Sequence, residues 1–373
     1  MSLFQAPWIR KYLIPGAIFQ SVLVGGGYGT GREIVEFFTR FGGGGGILGL
    51  GVTVLSWIVI LGVTWEFARH FQLYDYRTFF KRLLGRGWIL FEILFALMFL
   101  LVLAVVASAA GEILDDAFGI PYLAGISAML LLVGLLTFLG REMVTRSLAI
   151  WTVLLYGMFL FYFGAAFLQT GEAMGAGLAA WEVLPGWGVS GLQYALYNVA
   201  IIPAILFATR DLESRGEVAG AAVAASLLCA FPALLFHLSF LGDYPEILVR
   251  EIPVYAVITS LGMTTLLLVY LVALFGTFIE TGAGFIQGTI ERIDGTLKET
   301  GAGPLPPLGR AGVAVVGVGL SALLATFGII ALIAQGYGTI AWGFFAVYVI
   351  PLLTIGIWKL RTSPPTPARE SDS

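Results

Sequence analysis

The chain has 373 residues, 58% of them hydrophobic and only 12% charged, with a formal net charge of −3 and a mean hydropathy of +0.93. A soluble domain carries about a quarter charged residues, so this composition excludes one and predicts an integral membrane protein. The single cysteine, Cys229, excludes an internal disulfide framework and a cysteine-based metal cluster, and two histidines, His70 and His237, argue against a histidine-rich metal site.

Hydropathy in a window of about 19 residues predicts spans at 12–39, 45–67, 88–112, 122–139, 148–169, 190–209, 217–240, 256–290, 311–333 and 336–358. The first apolar run follows Arg10 and Lys11 directly and has no small-residue cleavage site, so no cleavable signal peptide is expected. Its middle holds Gly25, Gly26, Gly27, Gly29 and Gly31 around Tyr28. Each glycine costs a helix about 1 kcal/mol relative to alanine, and a bilayer core tolerates broken helix only where it is buried in protein or lines a cavity. The span is therefore expected to break at mid-depth and to bind something polar there. N–H groups of the restarting helix suit a carboxylate or another anion, and carbonyls ending the first half suit a cation. Close helix packing through small residues is the alternative reading. Arg32 and Glu33 follow; they form either a gate across an outer vestibule or a solvated pair at the outer interface. Gly42–Gly46 reads as a flexible loop.

Segment 68–87 mixes aromatic and basic residues, as an amphipathic helix on the inner surface does when it meets lipid headgroups rather than nucleic acid. Glu66 and Glu92 flank it and could pair with its bases, while Glu112, Asp115 and Asp116 mark the outer end of the third span. In the sixth span Gln193, Tyr194, Tyr197, Asn198 and Pro203 interrupt an apolar segment. Gln193, Tyr197 and Asn198 are substrate-contact candidates, with Asn198 alternatively capping freed backbone groups. His237 reads as a core or interfacial histidine, or else a proton relay. The eighth span is too long for one crossing, so 244–260 is expected to form a short hairpin or interfacial helix broken at Pro253, ahead of a span near 263–290. Within it Thr277, Glu280, Thr281 and Gly284 share one helical face. That face could hold Na⁺ with carbonyls from the first break, or Glu280 could exchange a proton; an interhelical hydrogen bond to Glu280 is the structural alternative. The Pro-, Ser- and charge-rich tail, 361–373, is expected to be disordered.

Seventeen of the twenty basic residues fall on the side of the odd-numbered loops and both termini; the others are Arg32, Arg40 and Arg250. Positive loops stay inside, which predicts ten crossings of the cell membrane with cytoplasmic N and C termini. The interruptions in spans one and six lie about 170 residues apart, and five crossings reverse a unit's orientation. A single domain over 1–360 is therefore expected, built of inverted repeats over about 10–170 and 188–360. Interrupted helices at matching positions in two halves point to a transporter binding site.

The run Val24-Gly25-Gly26-Gly27-Tyr28-Gly29-Thr30-Gly31-Arg32-Glu33-Ile34-Val35-Glu36-Phe37-Phe38 resembles the opening signature of the YkvI-like membrane proteins. Gly284-Phe285-Ile286-Gln287-Gly288, Glu291-Arg292-Ile293 and Ile333-Ala334-Gln335-Gly336-Tyr337-Gly338 are similar to later motifs of that family. The family is similar to the amino acid–polyamine–organocation superfamily, whose LeuT-type fold has two inverted five-helix repeats with helices 1 and 6 broken. The resemblance implies an all-α membrane protein with a substrate site at the two breaks, carried here by Gly25–Gly29 and Asn198. It also implies a cation site between spans one and eight, at Thr277 and Thr281. Arg32 departs from the family, which commonly has a neutral glutamine there, and Gly26 stands where a methyl is common.

The function expected is secondary transport of a small polar or zwitterionic, amino acid-like solute by alternating access, coupled to Na⁺ or H⁺ and with no other cofactor. A non-transporting sensor or partner subunit on the same fold is the alternative. No nucleophile–base pair suggests an enzyme, and no phosphate-binding Gly-X-X-X-X-Gly-Lys-Ser/Thr motif suggests a nucleotide-driven pump.

Overall fold

The computed structural model describes residues 6–138 and 141–366, without side-chain detail at 26, 138 and 141–153. All regular structure among these residues is helical. Eight helical segments are long and apolar enough to cross a membrane. Two further expected crossings lack that length for identifiable reasons. The first is cut into α1 (Ile14–Leu23), α2 (Gly26–Gly29) and α3 (Arg32–Phe37). The fourth, α7 (Tyr122–Phe138), has 17 residues.

The second and third crossings are α4 (Gly42–Phe71) and α6 (Trp88–Phe118), joined by the short α5 (Tyr76–Leu84). The fifth is α8 (Arg141–Ala179), and the sixth is α9 (Trp187–Asn198) continued by a 3₁₀ segment, Val199–Thr209. The seventh is α10 (Arg215–Phe240), whose start carries a complete capping box of Ser214 and Glu217. The expected hairpin follows as a 3₁₀ turn, Glu246–Val249, and α11 (Pro253–Ser260), which starts at Pro253, where a missing N–H costs nothing. The eighth and ninth crossings are α12 (Thr264–Glu299) and α13 (Pro307–Ala325). The tenth runs from Ile329 to Thr362. The turn between the last two lies at 326–328, earlier than hydropathy placed it, because Gly328 adopts φ +80 inside an otherwise continuous apolar run.

Helix pairing repeats when five is added to each crossing number. Crossing 1 packs on 7 as 6 packs on 2, 5 on 8 as 10 on 3, and 4 on 8 as 9 on 3. The closest approaches repeat too. A methyl on Gly16 would stand 2.8 Å from Ala225 Cα, and one on Gly191 would stand 2.2 Å from the Gly49 carbonyl oxygen. Small residues here let backbones meet, and this reciprocal pairing is the signature of two inverted five-helix units.

Three local expectations need correction. Gly42–Gly46 is not a loop: it forms the buried first turns of α4. It is glycine because neighbours fill the Cβ positions; at Gly46 a methyl would sit 2.2 Å from the His237 ring. The amphipathic α5 does not simply rest on lipid. Phe79, Phe80 and Leu83 are buried in the protein, and Arg77 and Lys81 pair with Glu299 of α12. Glu66 does pair with a base of that segment, Arg69, and also with Arg215, whereas Glu92 pairs outside it, with Arg292. At the C-terminal end, His70 contacts the Ser363 carbonyl at 3.0 Å and accepts the Thr366 N–H on its own carbonyl at 2.9 Å. Residues 367–373 of the expected tail lie outside the described residues, as do the side chains of Arg141 and Arg146.

Candidate functional site at the helix 1 break

The first crossing breaks twice. Val24 leaves the helix with φ −78 and ψ 65, and Gly25 is extended (φ −88, ψ −170). Gly31, at φ +79, separates α2 from α3 and lies so close to Phe240 and Val254 that a side chain has no room. The freed backbone is taken up locally. Thr30 Oγ1 donates to the Gly27 carbonyl (2.7 Å) and accepts from the Arg32 N–H (3.1 Å), while Tyr270 of α12 donates to the Gly29 carbonyl (3.2 Å).

Gly27 and Tyr28 face different neighbourhoods. A methyl on Gly27 would meet Glu33 Oε1 at 2.7 Å, Val105 of α6 at 3.2 Å and the Tyr337 hydroxyl at 3.7 Å. Glu33 is buried, and its other oxygen accepts the Tyr197 hydroxyl of α9. The Tyr197 and Tyr337 rings stack at 4.8 Å, and Phe37 closes on Tyr197 at 5.5 Å. Tyr28 instead packs edge-on against Phe236 of α10 at 5.6 Å, with its hydroxyl buried and unpartnered.

At the sixth crossing the α-to-3₁₀ change follows Asn198. The Val199 N–H turns to the Leu196 and Tyr197 carbonyls, and the Ala195 carbonyl accepts Trp57 Nε1–H of α4 at 3.2 Å. Asn198 Nδ2 donates to the Tyr194 carbonyl at 2.9 Å, so it satisfies backbone at the break. Gln193 is spent on the Gly338 carbonyl of the tenth crossing (3.2 Å). Trp57 and Tyr337 had no assigned role in the sequence. Tyr337 lies in a motif similar to the YkvI-like family; for Trp57 only its place among apolar residues was visible.

On α12, Thr281 abuts the break: a methyl on Gly25 would meet its side chain at 3.7 Å. Thr277 Oγ1 donates to the Ala273 carbonyl (2.8 Å), and Glu280 is buried with Oε2 unpartnered. No interhelical hydrogen bond satisfies that oxygen. Among the described residues, no three His, Cys, Asp or Glu side chains group as a metal site.

Arg32 and Glu33 are both buried, which overturns their reading as a solvated pair. They also diverge. Glu33 turns inward to Gly27, whereas the Arg32 guanidinium donates to the Leu248 and Arg250 carbonyls (2.8 and 2.9 Å) and to Glu36 (2.9 Å). Glu36 also pairs with Arg40. Arg32 thus ties α3 to the hairpin 246–250, with the Val254 N–H donating to the Thr30 carbonyl beside it (3.1 Å). Above lies an open cavity of about 720 Å³ lined by Glu112, Asp116, Asp243, Glu246 and Glu251 against Arg250. His237 contacts Thr39 Oγ1 and the Gly43 carbonyl (both 3.1 Å) and is a core residue.

No protein-family model matches the chain. It is similar to the uncharacterized membrane protein YkvI of Bacillus subtilis (strain 168), 25% identical over 295 residues, 75% of this chain and 80% of that protein. In structure it is similar to Mhp1, a nucleobase-cation-symport-1 family transporter in a closed conformation with bromovinylhydantoin bound. That match has TM-score 0.61 and 12% identity, over 95% of this chain and 79% of the other. A second similar structure is a Na⁺-coupled sialic acid symporter, substrate-bound and outward-open, with TM-score 0.52 and 12% identity over 92% of this chain and 87% of the other. The chain is thus similar to YkvI in sequence, and its fold is of the LeuT type.

Proposed function

We propose that the chain is a secondary active transporter, not an enzyme, carrying a small polar or zwitterionic solute with an amino group across the cell membrane by alternating access. Buried Glu33, held by Tyr197 against the glycine break, is the observation that carries this reading. A buried carboxylate suits an ammonium group, and the stacked Tyr197 and Tyr337 rings add cation–π attraction. The charge bias of the loops supports cytoplasmic termini, which makes the acidic cavity the outer vestibule and Arg32 its gate.

The coupling ion, Na⁺ or H⁺, is assigned to the face of α12 beside Gly25. An ionised Glu280 without a partner is costly inside a bilayer, and a proton or Na⁺ there, with Thr277, Thr281 and carbonyls of the break, removes that cost. The shared fold of the Na⁺-coupled sialic acid symporter supports the Na⁺ form. Purified protein in liposomes, screened with amino acids, amines and nucleobases under Na⁺ or H⁺ gradients, tests the reading. Gradient-driven accumulation of one solute is expected. Ligand binding with no net flux would instead make the protein a sensor.

A further inference from the structure

Glu33 has no countercharge. On its own helix, Arg32 is committed to Glu36 and two carbonyls of the hairpin. Facing it are Tyr194 and Tyr197 from α9, Tyr337 from the tenth crossing, Val105 from α6 and Gly27 of the α2 turn, with Tyr28 beyond it and its ring against α10. Among the described residues none of these brings a cation. An unpaired carboxylate in such a place is neutralised by a proton or by a bound cation. Tyr197 satisfies one oxygen, and the other borders Gly27, where only a hydrogen occupies the Cβ position.

From this geometry we propose that Glu33 is a proton–ammonium exchange site: without substrate Glu33 is the neutral acid, and a substrate ammonium group binds by displacing its proton. The inference rests on reading this pocket as the transport site and adds a property of the binding step. The step balances: the carboxylic acid and R–NH₃⁺ give a carboxylate–ammonium pair and one released proton. No bond of the substrate changes. The vestibule supports a cationic group independently, since five carboxylates against one arginine line it and such a field concentrates cations at the entrance. Glu33 lies on α3 with one oxygen held by Tyr197, whereas Glu280 lies on α12 with Oε2 unpartnered.

The test is proton release on binding, measured with the full-length protein in weakly buffered detergent. The probes are alanine, putrescine and choline. The expected result is about one proton released per bound ammonium group for at least one probe near pH 6. Its affinity should weaken about tenfold per pH unit on acidification. Glu33→Gln should bind without proton release or pH dependence, and Glu33→Asp should restore both. Binding without proton release, proton release that persists in Glu33→Gln, or binding of none of the three probes would each overturn the exchange. A neutral solute accumulated in the liposome assay with no probe bound would leave the transporter reading in place and remove this one.

Discussion

Replacing Arg32 with alanine removes three hydrogen bonds at once, two to the hairpin carbonyls and one to Glu36. Both side chains of the ion pair are more than nine-tenths buried, at 4% and 7% exposure. Breaking a buried pair costs about 3–5 kcal/mol when the remaining charge is stranded. Glu36 keeps Arg40 as a partner, which lowers the expected cost to about 2–3 kcal/mol. Those bonds join α3 to the hairpin, so the loss falls mainly on the state in which the vestibule is closed from the pocket. A bias of that size shifts a closed-to-open ratio by roughly 30- to 150-fold. Val105, beside Gly27, is buried, as is the native Cys229, so Val105→Cys gives one reporter for an impermeant maleimide. In that background Arg32→Ala should accelerate labelling and lower the melting temperature, and Arg32→Lys should fall between, since one ammonium cannot serve three acceptors placed for a planar fork. Labelling and melting both equal to the parent would refute the latch.

Other substitutions separate packing from chemistry. Gly191→Ala drives a methyl into the Gly49 carbonyl and should cost about 3 kcal/mol, whereas Gly188→Ala meets nothing within 4 Å and should leave the melting temperature unchanged or slightly raised. Tyr197→Phe strips Glu33 of its donor; a stability loss of about 1–3 kcal/mol is expected by thermal shift, and an unchanged melting point would contradict the bond. If Na⁺ binds on α12, Thr277→Ala should abolish Na⁺-dependent thermal stabilisation. If a proton binds there, Glu280→Gln should abolish proton-driven uptake, and full retention would remove Glu280 from coupling.

Much of the architecture was written in composition and spacing. Five clustered glycines and a proline-led hairpin gave local signals strong enough to locate the first break and α11 without tertiary information. The sixth-helix break was harder, because no glycine marks it; it is a change of winding after Asn198, closed by Trp57 from another helix. Arg32 and Glu33 show the limit most clearly. They are adjacent in sequence, yet one helical step points them about 100° apart, toward a hairpin and a pocket that only the folded chain brings near. One partner of Arg32 is legible in the spacing: Arg32, Glu36 and Arg40 recur every four residues, the interval that pairs charges along one helix face. Tyr28 sits among the glycines in sequence, but its ring faces α10.

The 3₁₀ winding of Val199–Thr209 makes the sixth crossing longer than α winding of the same residues would. Eleven residues at a rise of about 2.0 Å cover about 22 Å, against about 16 Å were they α-helical. Pro203, inside the segment, lacks the N–H that α winding needs. The segment therefore acts as a spacer: one end is fixed by Trp57 and Asn198, and Thr209 stands about 6 Å farther from it than an α-helix would place it.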